Sequence, residues 1–330
     1  MQKKIIALAI ASALTVPALA LADTANVSVY GIADVSFDST KNGNTAAGVN
    51  GVTVSKVSSN ASRLGLKGAE DLGNGLKAVW QIETQVLIDN SGAGNGLATR
   101  NTFAGLAGDS WGSLTLGRND TPYKSSTRGM DLFMDHIADN GTLMGRGSMG
   151  FDIRPTDTIS YNSPDMSGFK VAGSYSTGSE ANSLSTADIK GKILSLSGNY
   201  ATGPFSAALA YQKNTLGSSN TIAGAIAAPT VAANCATGIC DEKAWKIAGG
   251  YKVDQFAVNA VYEKVTDNLG STAGGMGHKA YYVSGLFNAT ASDAIKLAYT
   301  KAKNLRDGSG TDTGAKQWSL GVDHSLSKRT

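Results

Sequence analysis

Residues 62–83 read Ser62-Arg63-Leu64-Gly65-Leu66-Lys67-Gly68-Ala69-Glu70-Asp71-Leu72-Gly73-Asn74-Gly75-Leu76-Lys77-Ala78-Val79-Trp80-Gln81-Ile82-Glu83. Successive side chains of a strand point to opposite faces, so residues two apart share a face. Leu76, Ala78, Trp80 and Ile82 then line one face, and Lys77, Gln81, Glu83 and Gln85 the other. Leu64 and Leu66 alternate with Arg63 and Lys67 in the same way. Between the two runs lies Glu70 to Gly75, rich in residues that tolerate tight turns. The stretch predicts an antiparallel hairpin with one apolar and one polar face.

The pattern repeats along the chain. Fourteen strands are expected at 27–38, 55–69, 75–87, 98–108, 111–118, 156–163, 168–177, 189–201, 204–213, 242–252, 255–265, 278–290, 293–302 and 315–326. Alternation also suits a soluble sandwich, so the connections decide. Tight turns at Asp109-Ser110-Trp111-Gly112, Ser163 to Gly168, Ala201-Thr202-Gly203-Pro204, Val253-Asp254-Gln255 and Thr290 to Asp293 alternate with long polar segments. Those segments lie near 39–56, 119–155, 214–241, 266–277 and 303–314. Short turns at one end and long loops at the other are the asymmetry of a transmembrane β-barrel. Tyr30, Trp80, Trp111, Tyr123, Tyr161, Tyr200, Tyr251, Tyr281 and Tyr299 fall close to predicted strand ends, where interfacial girdles would place them.

The first residues speak to export. Lys3 and Lys4 precede the apolar run Ile5 to Val16, and Ala20-Leu21-Ala22 offers small residues for cleavage before Asp23. This reads as a signal peptide over 1–22, with one all-β unit over 23–330. Its apolar core is shorter than the roughly 20 residues of a spanning helix. Removing Lys3 and Lys4 takes the formal charge from +3 to +1, so no basic excess points to nucleic acid. Cys235 and Cys240, the only cysteines, are placed to close a small disulfide loop in an oxidising compartment.

Several stretches resemble Gram-negative porins. Asn26-Val27-Ser28-Val29-Tyr30-Gly31 with Asp34 resembles the opening strand of that family, and Ser62 to Ala78 its second hairpin almost throughout. Trp111 to Arg118 is similar to the strand leading into the third loop. Tyr161-Asn162-Ser163-Pro164 and Leu326-Ser327-Lys328-Arg329-Thr330 match two further landmarks in the same order. The resemblance implies a sixteen-stranded homotrimeric barrel without a cofactor. It also implies contacts with outer-membrane lipid and lipopolysaccharide, and passage of ions and small hydrophilic solutes. Its third loop, 119–155 here, would fold inward and narrow the pore. Family members end on a strand with a terminal aromatic residue. Because Ser327 to Thr330 matches a turn before two more strands, the chain is expected to lack its closing hairpin.

Strand register places Arg63, Lys67 and Lys77 on the polar, inward face. Arg100 and Arg154 match positions of pore arginines in the resemblance. Asp120, Asp131, Asp135 and Asp139 of the third loop are expected across the pore as its acidic side. Two alternatives are a substrate-specific outer-membrane channel and a non-channel surface adhesin; the latter would show a short fixed repeat, and none is found. Enzyme chemistry finds little footing. His136, His278 and His324 stand apart from metal-ligand spacing, and Asp323 and Ser325 flank His324 on a strand, pointing away from it.

Overall fold

The computed structural model describes residues 26–41, 43, 51–89, 96–147, 150–177, 192–215, 241–267, 277–303 and 314–328. The expected export segment and both cysteines, Cys235 and Cys240, lie outside these. Among the described residues sixteen strands form. They are β1 Val27–Ile32, β2 Val35–Lys41, β3 Thr53–Ser59, β4 Arg63–Gly73, β5 Leu76–Gln85, β6 Thr102–Gly108, β7 Gly112–Arg118 and β8 Thr158–Asn162. There follow β9 Phe169–Ser176, β10 Lys192–Thr202, β11 Phe205–Thr215, β12 Asp241–Val253, β13 Phe256–Asp267, β14 His278–Asn288, β15 Asp293–Lys303 and β16 Ala315–His324. No helix among the described residues is long and apolar enough to cross a membrane.

Fourteen strands join one antiparallel sheet in the order β1-β4-β5 and then consecutively to β16, while β2 and β3 pair as a separate hairpin. Each later strand therefore lies beside its neighbour in sequence, as tight turns dictate. Asn74 and Gly75, with φ of 53° and 76°, form the two-residue turn between β4 and β5. Asn-Gly is the pair that adopts positive φ at both positions most readily. Among the described residues the sheet order begins at β1 and ends at β16, which are not paired with one another.

The structure corrects some expected boundaries. The strands expected at 27–38 and 55–69 are each broken. Ala33 and Asp34 lie between the paired segments of one, against Asn60, Ala61 and Ser62 of the other. Two residues facing three is the count of a bulge, and Ala61 takes a φ of 52° there. Ser62 Oγ stands in for the ladder, accepting from Asp34 N at 2.8 Å and donating to Asp34 O at 2.7 Å. The strand expected from 98 starts only at Thr102, because Ala98, at φ 64°, turns the chain.

The two faces of the sheet differ in chemistry. Leu64, Leu66, Leu116, Leu209, Ile247, Val258, Val283, Leu297 and Leu320 stand exposed on one. Facing the other way are buried Ser160, Ser195, Gln212, Asn259, Glu263, Ser284 and Thr300, interleaved with alanines. The described residues of the 119–157 segment, between β7 and β8, pack on that polar face. Met130, Phe133 and Met144 meet Ala208, Ala248, Val261, Ala280 and Ala298 there, and Tyr123 and Phe151 meet Ala210, Ala244 and Val265. Small side chains on the strands leave the room that the segment fills.

Candidate functional site

Apart from Lys77, the expected charged residues fall into three groups on the polar-face side of the sheet. The first is built on β1, β4 and β5. Gly65 pairs with both Tyr30 and Glu83, which places all three on the polar face. A Cβ at Gly65 would stand 2.2 Å from the Tyr30 ring, so only glycine lets that ring lie across β4. Tyr30 Oη then donates to Glu83 Oε2 at 2.9 Å. Arg100 Nε donates to Glu83 Oε1 at 2.6 Å, and Arg63 Nε lies 3.9 Å from Oε2. Lys67 sets its ammonium 5.3 Å from the Tyr30 ring centre. Tyr30 therefore serves this cluster rather than an interfacial girdle. Arg100 stands in the turn before β6 rather than on a strand, tied down by its own N–H to Glu83 O at 3.0 Å.

Lys77 is not part of that group. Its amine is 3.4 Å from Asp109 at the turn end. Six residues separate it from Glu83 on β5, about 20 Å along the strand.

The second group gathers where β7 leaves the sheet. Arg154 donates to Asn101 Oδ1 at 2.6 Å and to Asp120 Oδ2 at 2.9 Å, and Lys124 Nζ is 2.8 Å from Asp120 Oδ1. Asp120 therefore sits among the cations rather than across from them. Burial alone would raise its carboxyl, but Lys124 and Arg154 outweigh burial and hold it well below the usual carboxylate range.

The third group lies within the 119–157 segment, which is not structureless. Thr121 caps helix α1, Pro122–Arg128, its Oγ1 accepting from Lys124 N, with Pro122 at the first helical position. That Thr-Pro pair is a helix-start signal. Asp139 opens a 3-10 turn over Asn140–Thr142. Arg128 pairs with Asp135, and Asp139 accepts from Asp135 N at 2.7 Å and Gly141 N at 2.6 Å. Asp131 accepts from Phe133 N at 3.0 Å, Asn140 N at 2.9 Å and Tyr282 Oη at 3.1 Å. Burial first, then the charge of Asp139, push the Asp131 carboxyl up to about 6. Asp131, Asp135 and Asp139 are thus brought together, and Asp120 is not.

Strand side chains anchor the segment along its length. Ser195 Oγ accepts from Tyr123 N at 2.9 Å, and Asn199 Nδ2 donates to Ser126 O at 2.9 Å. Glu263, fully buried on β13, accepts from Tyr123 Oη at 2.7 Å and Gly145 N at 2.9 Å, with His278 Nε2 3.4 Å away. Lys246 Nζ meets Asp152 at 3.0 Å, and Gln317 Nε2 donates to Ala138 O at 2.7 Å. At the other extreme, His136 Nε2 lies 3.5 Å from Asp34, beside the break between β1 and β2.

Sequence reasoning placed Glu83 on the polar face without singling it out, and it missed Asn101, Lys124, Glu263 and Tyr282. Glu263 carries a legible signal, since it shares its face with Ala257, Asn259 and Val261. Tyr123 was expected near a strand end, but Pro122 starts a helix there and buries the ring beside Phe151, centroids 5.7 Å apart. Around His324 the neighbouring side chains take separate partners. His324 Nδ1 is 2.6 Å from Asp293, and Asp323 pairs with Lys296 at 2.8 Å.

Comparison with known proteins agrees with this architecture. A family model described as Gram-negative porin matches residues 7–330. Outer membrane porin protein 32 of Delftia acidovorans is 30% identical over 341 residues, covering 100% of this chain and 87% of that protein. The major outer membrane protein P.IB of Neisseria sicca is 31% identical over 172 residues, 52% of this chain and 47% of its own length. The chain thus spans about half the length of such Neisseria relatives. Among solved structures, the anion-selective porin from Comamonas acidovorans superposes with a TM-score of 0.72 at 24% identity, covering 92% of this chain and 85% of that one. The Salmonella typhi OmpF complex with daunomycin gives 0.67 at 16% identity, covering 92% and 86%. At those identities the two structures speak to fold.

Proposed function

The chain belongs to the Gram-negative porin family of outer-membrane proteins, and from that premise we propose that it forms a water-filled channel narrowed by residues 119–155. Ions and small hydrophilic solutes pass by diffusion. Porins are channels rather than enzymes, and no bond is made or broken. The observation that carries the reading is the burial of Tyr123 and Glu263 between the segment and β13. A segment held by buried bonds to the polar face of a sheet whose opposite face is apolar occupies space that water and solutes would otherwise fill. Sorting by size and charge at such a narrowing needs rings of fixed charge and a defined width.

In this reading Arg63, Lys67, Arg100 and Arg154 present the basic side, tempered by Glu83 and Asp120. Asp131, Asp135 and Asp139 present the acidic side. Lys77, beside Asp109 at the turn end, lines the exit rather than the narrowing. Residues 1–22 serve as the export signal, residues 23–330 contribute the barrel, and three copies assemble. Planar-bilayer recording is the direct test. Stepwise conductance increments that grow when residues 130–145 are replaced by a short Gly-Ser linker support the reading. Increments unchanged by that replacement would place the narrowing elsewhere.

A further inference from the structure

Residues 133–142 touch both ends of the fourteen-stranded sheet. On one side they reach β16, at Gln317 and Gly321, which share its polar face. Gln317 Nε2 donates to Ala138 O at 2.7 Å, and Thr142 Oγ1 donates to Gln317 Oε1 at 2.9 Å. The Phe133 ring lies against Gly321, where a Cβ would stand 2.9 Å from ring atom Cε1. Lys296, directly opposite Gly321 on β15, sets its ammonium 5.0 Å from the same ring centre and 2.8 Å from Asp323.

On the other side the same residues reach the end of β1. His136 Nε2 lies 3.5 Å from Asp34 Oδ1, just past Ile32. Asp34 is itself fixed, because Asn60 Nδ2 donates to its Oδ1 at 3.2 Å and Ser62 Oγ holds its backbone N–H and C=O. A tight turn separates the two anchors. His136 N donates to Phe133 O at 3.1 Å, Asp135 takes a φ of 68°, and Asp139 Oδ2 accepts from Asp135 N at 2.7 Å. Three residues span at most about 10 Å between Cα atoms. Gly321 and Asp34 therefore cannot drift apart without breaking an anchor.

Seating the segment on the wall needs neither anchor, since Glu263, Asn259 and Tyr282 already hold it on β13 and β14. The added anchors fall at the two strands that, among the described residues, have one neighbour each. An interior strand is positioned by two ladders and an edge strand by one, so the separation of the edges sums the small angular freedoms of every pair between them. We propose that residues 133–142 form an internal clasp that sets the separation of β1 and β16, and with it the curl of the sheet. Phe133 and Gln317 are its positioning residues toward β16, and His136 and Asp34 toward β1. The role is distinct from narrowing a channel, which a segment seated on β13 and β14 alone would accomplish.

The test measures the edge separation directly, by pulsed electron spin resonance on the full chain refolded in detergent micelles. Spin labels go on Val29→Cys and Leu320→Cys, both on the exposed face and away from the clasp, in a Cys235→Ser/Cys240→Ser background. A second pair, Leu196→Cys and Val258→Cys on β10 and β13, reports whether the sheet itself is intact. The parent should give one narrow β1–β16 distance. Phe133→Ala/Gln317→Ala should at least double the width of that distribution, His136→Ala should broaden it less, and neither should alter the β10–β13 pair. An unchanged β1–β16 distribution beside an intact β10–β13 pair overturns the clasp. Should a variant disturb both pairs, urea titration of the labelled parent decides. Broadening of the β1–β16 distance should coincide with loss of amide protection in residues 133–142. Broadening at lower urea, or release of those residues with the distance unchanged, overturns the proposal. Neither readout involves conductance, so the clasp and the channel reading fail separately.

Discussion

Tyr123 Oη donates to Glu263 Oε2 at 2.7 Å across 140 residues of sequence, and both side chains are wholly excluded from solvent. Burial, and then the Glu263 charge, raise the Tyr123 hydroxyl well above its ordinary value, so it remains a donor at any physiological pH. The bond joins the start of the 119–157 segment to the middle of the sheet, and Gly145 N brings the end of the segment to the same carboxylate. Tyr123→Phe removes one donor to a charged acceptor, worth about 1.5–3 kcal/mol. Single-channel records of this variant should show a noisier and larger conductance than the parent. Glu263→Gln, which weakens both attachments, should show a larger effect still. Identical traces for all three proteins would mean that this pair does not set the width.

Asp131 makes the anchoring depend on pH. Its carboxyl ordinarily titrates at 3.8 and is raised to about 6 here. An acid raised in the folded protein stabilises it when protonated. That contribution is full below the unfolded value and is lost as pH rises through about 6. Its size is at most about 3 kcal/mol, from about two pKa units. Amide exchange in residues 130–140 should therefore be slowest near pH 4, after correction for intrinsic rates, and accelerate toward pH 7. Asp131→Asn, neutral throughout, should flatten that profile. A profile of the same shape in the variant would assign the transition to another group.

Arg63, Arg100 and Glu83 form one charge cluster with a net charge of +1, so its members should act in opposite directions. One unit charge about 7 Å from an ion in water is worth about 0.6 kcal/mol, or roughly a threefold change in the local concentration of each ion, in opposite senses for cations and anions. Arg63→Gln and Arg100→Gln should each move the reversal potential in a salt gradient toward cation preference. Glu83→Gln should move it toward anion preference by a similar amount. A shift of the same sign in all three would mean that distorted geometry, rather than charge, had changed the current.

Among the described residues, β1 and β16 each have a single neighbour in the sheet. Backbone groups at lipid depth must be bonded, at several kcal/mol for each that is not. Covering both edges with an appended antiparallel hairpin that ends in an aromatic residue should raise the yield of heat-modifiable, vesicle-inserted protein. The gel shift between unheated and boiled samples reports it. No gain over the chain without the hairpin would show that the edges are already satisfied.

Periodicity and turn chemistry alone determined the strand order, the two faces and the side of the long connections. Alternation between Leu64 and Arg63, or between Ile82 and Glu83, is imposed by the pleat itself. Asn74-Gly75 closes a hairpin whatever surrounds it, because its positive φ angles are local preferences. The turn that keeps Arg100 off β6 and the bulge at Ala61 were not legible, since both depend on side chains meeting across strands. The site followed the same division. Register put Arg63 and Lys67 on the polar face, but only packing brought Arg100 to Glu83 and separated Lys77 from both. Asp120 joined Arg154 rather than the other aspartates because helix α1 begins at Pro122 and turns Lys124 back toward it. The anchoring by Glu263 and Tyr282 came from strands more than a hundred residues away. Such contacts are decided by which small side chains leave room on the sheet, a property of neighbouring strands together rather than of any one stretch of chain.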